Sequence, residues 1–280
     1  MTSLRAGWRR LAFGLATLIG PAARGFFIPY RYAAGVRSPD AYPALESVFR
    51  ASIEGFERQI AATARHRDTL CALRHAPPPA PRFDQDWFPR LDAAFAYALV
   101  RERAPARIVE IGAGHSTRFM ARAIADGRLA TQLVAIDPAP RAALDGLAIE
   151  VMGTSAQAAP ARLFAALAAG DVLFVDSSHI LVPGSDVDWL LNTLVPKLAP
   201  GVILHIHDVF LPDRYPADWA WRGYNEQNAI APLLLGGAFR LLWSSHYVAT
   251  RMTAEIAAAG LDRLRLPAGA YETSLWLERI

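Results

Sequence analysis

Short apolar runs recur through the C-terminal two thirds of the chain, at 107–111, 133–137, 148–152, 171–176 and 202–207, with helix-like segments rich in Ala, Leu and Arg between them. A strand that is apolar on both faces has to be covered on both, and strands joined by helical crossovers lie parallel. The pattern predicts an α/β fold: a doubly wound, mostly parallel sheet with a helical extension at its N-terminal side. Two further strand candidates, 240–247 and 272–277, are expected to complete the sheet as a hairpin-like pair.

The 280 residues are 53% hydrophobic and 20% charged, which excludes a disordered or disulfide-stapled chain. Lys197 is the sole lysine, so the net charge of +3 is carried by scattered arginines rather than a basic cluster, and no nucleic-acid partner is expected. Cys71 stands alone, so internal disulfides and Cys-based metal sites are excluded; a reducing, cytoplasmic setting is permitted.

Three segments follow from composition. Residues 1–38 hold Arg5, Arg9 and Arg10 ahead of an apolar stretch from Leu11 to Ile19, closed by Gly20-Pro21 and Arg24. The stretch is too short to span a bilayer, leaving two readings: a cleaved signal segment, or a basic amphipathic helix that packs on the domain or makes peripheral contact with a membrane. In 39–81, Leu45, Val48, Phe49, Ile53, Phe56 and Ile60 recur at helical spacing and lead into the proline-rich connector at 77–81. Residues 82–280 form the α/β domain.

Chemistry concentrates where strands end. Glu110-Ile-Gly112-Ala-Gly114-His115-Ser116-Thr117 joins the first strand to a helix, as a turn that opens backbone N–H groups to a ligand would. Asp137 closes the second strand, beside that turn in a parallel sheet, where a carboxylate can accept ribose hydroxyls. The alternative for Asp137-Pro138 is ordinary turn chemistry. A dinucleotide fingerprint requires a third glycine where this chain has Thr117.

The Glu110-x-Gly112-x-Gly114 turn with Asp137 resembles the cofactor motif of class I S-adenosylmethionine-dependent methyltransferases. Val175-Asp-Ser-Ser-His179 and His205-Ile-His-Asp208 resemble motifs of the small-molecule, catechol O-methyltransferase-like branch, and the resemblance runs over about 82–280. It implies a Rossmann-like methyltransferase fold with S-adenosylmethionine as cofactor. Glu110, Gly112, Gly114, His115 and Ser116 would adjoin that cofactor, Asp137 would hold its ribose, Ser155 would lie near adenine, and Asp176 would flank the transferred methyl. Metal-dependent members place Asp at the fourth strand and an Asp-Asp or Asp-Asn pair after the fifth. The counterparts here are Asp176 and His207-Asp208, so Asp176 and Asp208 are the candidate ligands of a cation such as magnesium.

His115, His179, His205 and His207 all fall near strand ends. His179 is the candidate base, or else a loop histidine capping a turn; Asp176 and His207 complete the catalytic set. His205 and His207 share one side of a regular strand and Asp208 the other, so one histidine is expected in the core unless the chain bends. The aromatic group Trp219, Trp221, Tyr224 with Asn225 and Glu226 either roofs a substrate pocket or packs a loop. Residues 184–188 are either a lid or a helix N-terminus capped by Ser185 or Asp186.

The leading expectation is methyl transfer to a small-molecule acceptor, through a hydroxyl. A His/Asp metal-dependent hydrolase and a non-catalytic cofactor-binding module are the alternatives. Oligomeric state is not legible from these residues.

Overall fold

The computed structural model describes residues 4–20 and 30–280. Pro21 and Arg24, which close the N-terminal apolar stretch in sequence, lie outside the described residues. The first helix, α1, is Leu4–Ile19; α2 Pro43–Arg50, α3 Ile53–Ala64 and the short α4 Arg67–Cys71 follow. The α/β domain runs α5 Arg90–Arg103, β1 Arg107–Ile111, α6 His115–Gly127, β2 Gln132–Ile136, β3 Glu150–Met152, α7 Ala161–Ala165, β4 Val172–Val175, α8 Asp186–Trp189 and β5 Ile203–Ile206. It ends with α9 Gln227–Leu235, β6 Phe239–Ser244, α10 Ser245–Arg251, α11 Thr253–Ala258 and β7 Leu275–Arg279.

The strands form one sheet in the order β3-β2-β1-β4-β5-β7-β6. Pairing is parallel from β3 to β5, and β7 is antiparallel to both β5 and β6. The continuous apolar runs in sequence are the strands buried on both faces: all of β4 and β5, and all but the first residue of β1 and β2. The chain order reverses between β1 and β4, which opens a crevice at their carboxyl ends. Both ligand-side turns of interest, after β1 and after β4, leave the sheet there.

Two sequence boundaries shift. Residues 245–247, expected in a strand, open α10, because the Ser244 hydroxyl accepts the Tyr247 N–H (3.2 Å) and caps a helix. The helical preamble is three helices rather than one; at the first break the Ser52 hydroxyl donates to the Val48 carbonyl (3.1 Å). Its apolar face is part of the same core as the sheet. Phe49 stacks on Tyr247 (5.4 Å between centroids), and Phe56 packs edge-on against Trp243 (6.1 Å), which in turn stacks on Phe95 of α5 (4.6 Å). Phe56 is wholly buried, so Phe56→Ala should cost about 3–5 kcal/mol. Denaturant unfolding should remain a single transition with a lowered midpoint; a separate early transition would mean that the preamble folds on its own.

Candidate functional site

The two glycines after β1 do different work. Gly112 has φ 84°, and a Cβ there would collide with the Asp176 carbonyl oxygen and sit 3.2 Å from the Asp176 Cβ, so only glycine fits between the ends of β1 and β4. Gly114 is extended, and a Cβ there would meet nothing within 4 Å. The open side of the turn is thus at Gly114, where a ligand can approach the start of α6. Asp137 braces this turn: its Oδ2 accepts the Ala113 N–H (2.8 Å) and its Oδ1 the Ala139 N–H (2.7 Å), leaving further lone pairs of a half-buried carboxylate free. Ser155, beyond β3 at the same edge of the sheet, is exposed.

Glu110 is fully buried, accepting the Ser116 hydroxyl (2.5 Å) while its Oε2 has no partner. Burial pushes its carboxyl up to about 8, against the pull of Ser116 and Thr117, so it is protonated at neutral pH. Glu110 and Ser116 therefore hold the turn from beneath. His115, at the first turn of α6, has a buried Nδ1 without a partner; burial and the nearby Arg118 and Arg82 lower it to about 4. It is a neutral ring at the first turn of α6 with one nitrogen unpartnered.

At the ends of β4 and β5 two imidazoles sit among four carboxylates. His179 directs Nδ1 to Glu226 (2.9 Å), and its Nε2 lies between Asp176 Oδ1 (3.2 Å) and Asp208 Oδ2 (3.3 Å). His207 directs Nδ1 to Asp208 (3.5 Å) and Asp176 (3.6 Å), and Nε2 to Asp92 (3.5 Å). Burial opposes charge on both rings, but the acids, Asp208 foremost, hold both well above the usual histidine range. The atoms crowded around Asp176 oppose its charge even though one side of it is open, yet hydrogen bonds from His179 and His207 keep it well below the carboxylate range. Asp176 is the open member: its side chain is 44% exposed, against 5% for His179 and 10% for Asp208.

His179, the candidate base of the sequence, has both ring nitrogens engaged by carboxylates, an arrangement that favours the charged ring. The chain does bend as the strand argument required: Asp208 (φ 56°) and His179 (φ 60°) are both left-handed. Such strain in non-glycine residues is held where the surroundings over-determine it, most often at working sites. His205 is the core histidine, fully buried, stacked on Phe174 at 3.6 Å, bonded to the Ser274 hydroxyl (2.9 Å) and held neutral by burial.

Two members of the cluster lie beyond the candidate set read from sequence. Glu226, noted there only as a neighbour of aromatics, also accepts the Ser177 hydroxyl (3.0 Å). Asp92 lies in α5, wholly buried, and accepts the backbone N–H groups of Thr273 (3.1 Å) and Ser274 (2.9 Å). The aromatic segment covers this edge: Tyr224 packs on His179 at 4.6 Å, and Arg222 lies over Trp219 at 4.2 Å. Residues 184–188 are a helix start, with the Ser185 hydroxyl accepting the Asp188 N–H at 3.1 Å.

The carboxylates of Asp176 and Asp208, the candidate cation ligands, both face Nε2 of His179 at 3.2 and 3.3 Å, and no group of three His, Cys, Asp or Glu among the described residues could hold a metal ion. The hydrolase alternative loses its His-x-His pair for the same reason, with His205 in the core and His207 held by acids.

Residues 109–209 match a family model described as a methyltransferase domain. That span contains the glycine turn, Asp137, Asp176, His179 and His207-Asp208, and it bears out the resemblance that those motifs carry. No curated protein sequence matches the chain. Among solved structures it is similar to the SAH-bound methyltransferase PaMTH1 of Podospora anserina, at 16% identity over 91% of this chain and 99% of that one, with a TM-score of 0.42. The plantazolicin methyltransferase BpumL, in complex with a monoazolic desmethylPZN analog and SAH, is 12% identical over 98% of this chain and 96% of its own, with a TM-score of 0.40. A putative methyltransferase from Thermobifida fusca is 16% identical over 80% and 93%, with a TM-score of 0.37.

The glycines separate by experiment. Gly112→Val should fail to fold or lose several kcal/mol, whereas Gly114→Val should keep its melting temperature and lose affinity for S-adenosylhomocysteine by calorimetry. Equal loss of stability in both would refute the division. For Glu110, the folded carboxyl at about 8 lies above its ordinary 4.5, so its contribution to stability is full below 4.5 and is lost as pH rises toward 8. Glu110→Gln removes this titration. Compared with it, the parent protein should lose up to about 1.4 kcal/mol per pH unit across that window, read from urea midpoints; parallel curves would place Glu110 in a polar setting.

Proposed function

We propose that this chain, which carries a methyltransferase domain of the class I S-adenosylmethionine-dependent kind, transfers the methyl group of that cofactor to the hydroxyl oxygen of a small-molecule acceptor. The observation that carries the reading is Asp176: an open carboxylate packed against the Gly112 turn and clamped from behind by two protonated imidazoles. The open backbone at Gly114, the unpartnered Nδ1 of His115, the free lone pairs of Asp137 and the Ser155 edge suit the cofactor. When bound, S-adenosylmethionine supplies a methyl carbon activated by a sulfonium leaving group.

The protein's own task is to fix the acceptor oxygen in line and to take its proton. Asp176 accepts the hydrogen bond of the acceptor hydroxyl. A carboxylate held well below the usual range is a weak base toward a resting hydroxyl. It is adequate toward one whose oxygen is gaining a third substituent, since the O–H of that oxygen becomes strongly acidic as the bond to the methyl carbon forms. The proton then sits on an exposed carboxyl and leaves to solvent. His179 and His207 are already protonated, so they act as fixed donors that hold Asp176 in one rotamer, and Glu226, Asp208 and Asp92 hold the imidazoles. Carboxylates outnumber imidazoles in the cluster, which favours a cationic methyl donor at the mouth of the site. Tyr224 and Trp219 offer aromatic faces to the acceptor.

Turnover is measurable as S-adenosylhomocysteine release across a panel of phenolic, sugar and lipid hydroxyls. Asp176→Asn should lower kcat by about a hundredfold or more on any acceptor found, with unchanged calorimetric affinity for S-adenosylhomocysteine. Excess chelator should leave the parent rate intact. Full turnover by the Asn variant would remove Asp176 from the chemistry, and loss of activity in chelator that magnesium restores would reinstate a cation.

A further inference from the structure

The proposed methyl-transfer chemistry makes no use of α1, which carries the two most exposed large apolar side chains among the described residues, Ile19 and Trp8. Trp8, Leu11, Leu15, Leu18 and Ile19 are 69, 51, 46, 63 and 75% exposed. Their spacing of three, four and three residues, with Ile19 beside Leu15, sets them on one stripe of the helix. Arg9 and Arg10 fall outside that stripe, and α1 contains no acid. No helix of the described residues is long and apolar enough to cross a membrane.

Charge is segregated along the chain in the same sense. Arg5, Arg9, Arg10, Arg24, Arg31 and Arg37 all precede the first acidic residue, Asp40, so the opening 39 residues hold six of the 29 basic residues and none of the 26 acidic ones. The remainder of the chain therefore carries a net charge of −3 at pH 7. Beside Arg31 and Arg37, the described residues Tyr30, Tyr32 and Val36 are again exposed, at 58, 61 and 58%.

From this geometry we infer that α1 lies in the plane of an anionic lipid bilayer, its Trp8–Leu11–Leu15–Leu18–Ile19 stripe among the acyl chains and its arginines on the headgroups. A helix with a tryptophan-bearing apolar stripe and only cationic charge suits that interface, and long Arg side chains reach from the stripe's flanks to lipid phosphates. The acidic remainder of the protein is repelled by the same surface, so attachment runs through the N-terminal segment alone. Because α1 contacts the short 3-10 helix Ala217–Arg222, which carries Trp219 and Trp221, docking also sets the aromatic roof at the lipid surface. An amphiphilic hydroxyl acceptor would then reach Asp176 from the bilayer; this last step rests on the proposed methyl transfer, whereas the docking does not.

Co-sedimentation of the full chain with vesicles tests the docking without any assay of turnover. Binding is expected to vesicles of phosphatidylcholine mixed with phosphatidylglycerol, to be weak with phosphatidylcholine alone, and to fall with added salt. Leu11→Ser/Leu15→Ser should weaken it by roughly tenfold or more, Arg9→Glu/Arg10→Glu should abolish it, and both should keep the parent's circular dichroism and melting temperature. Equal binding to both vesicle types, or by the Leu variant and the parent, would overturn the inference. So would a concentration-dependent dimer that the Leu variant loses in the absence of any lipid binding, or an intact mass showing that cells remove the segment.

Discussion

Asp92 is a carboxylate with no access to water, on the third residue of a helix whose neighbours from Leu91 to Val100 are all buried. A charge in that position is tolerable only if its oxygens are filled, and three groups from elsewhere in the chain fill them: the N–H groups of Thr273 and Ser274 and the His207 imidazole. Removing one side of such an arrangement typically costs about 3–5 kcal/mol, because the other is left charged and alone. The arrangement ties α5, the end of β5 and the entry to β7 into one rigid unit. From it a continuous relay of acids and imidazoles runs outward through His207, Asp176 or Asp208, and His179 to Glu226. Asp176, the open carboxylate within that relay, is thereby held in place from a buried one that never meets solvent.

The same relay explains why the site is lopsided in basicity. Each imidazole is surrounded by acids and stays charged, and Asp176, facing both, is correspondingly hard to protonate. On the proposed reading, such a site positions the acceptor rather than pulling its proton away in advance. That suits a displacement in which the nucleophile's acidity rises during the reaction itself, and it gives the histidines a part that charge alone, without titration, can play.

The sheet was legible because burial on both faces leaves a plain mark: runs such as 172–175 and 203–206 have no polar side to hide, apart from His205. The turn residues were legible because strand ends in a parallel sheet share one edge. Individual contacts were not. Asp92 belongs to a helix, so a search of strand ends passes over it, although an acid beside the unbroken apolar run from Ala93 to Val100 is itself a signal of an enforced partner. Glu226 reaches His179 across 47 residues of sequence, through a loop with no periodicity to read. The roles of Gly112 and Gly114 look alike in sequence and part only when the carbonyl of Asp176 is seen against one of them. His205 and His207, equivalent by strand phase, are separated by depth: one stacks on Phe174 and Trp276, the other stands where the chain turns out of β5.

Chain order and sheet order disagree at one place: β6 is made before β7, yet β7 lies between it and β5. During vectorial synthesis β6 has no neighbour in the sheet to pair with, and the outer edge of β5 stays bare, until the segment around residue 275 emerges. The N–H groups that receive Asp92 lie 181 and 182 residues downstream of it, on the same late segment. The nascent chain thus completes its glycine turn, with Asp137 across from it, well before the acids and imidazoles can lock. A translating ribosome would present the glycine turn with its bracing carboxylate while the acids and imidazoles still lack the segment that locks them.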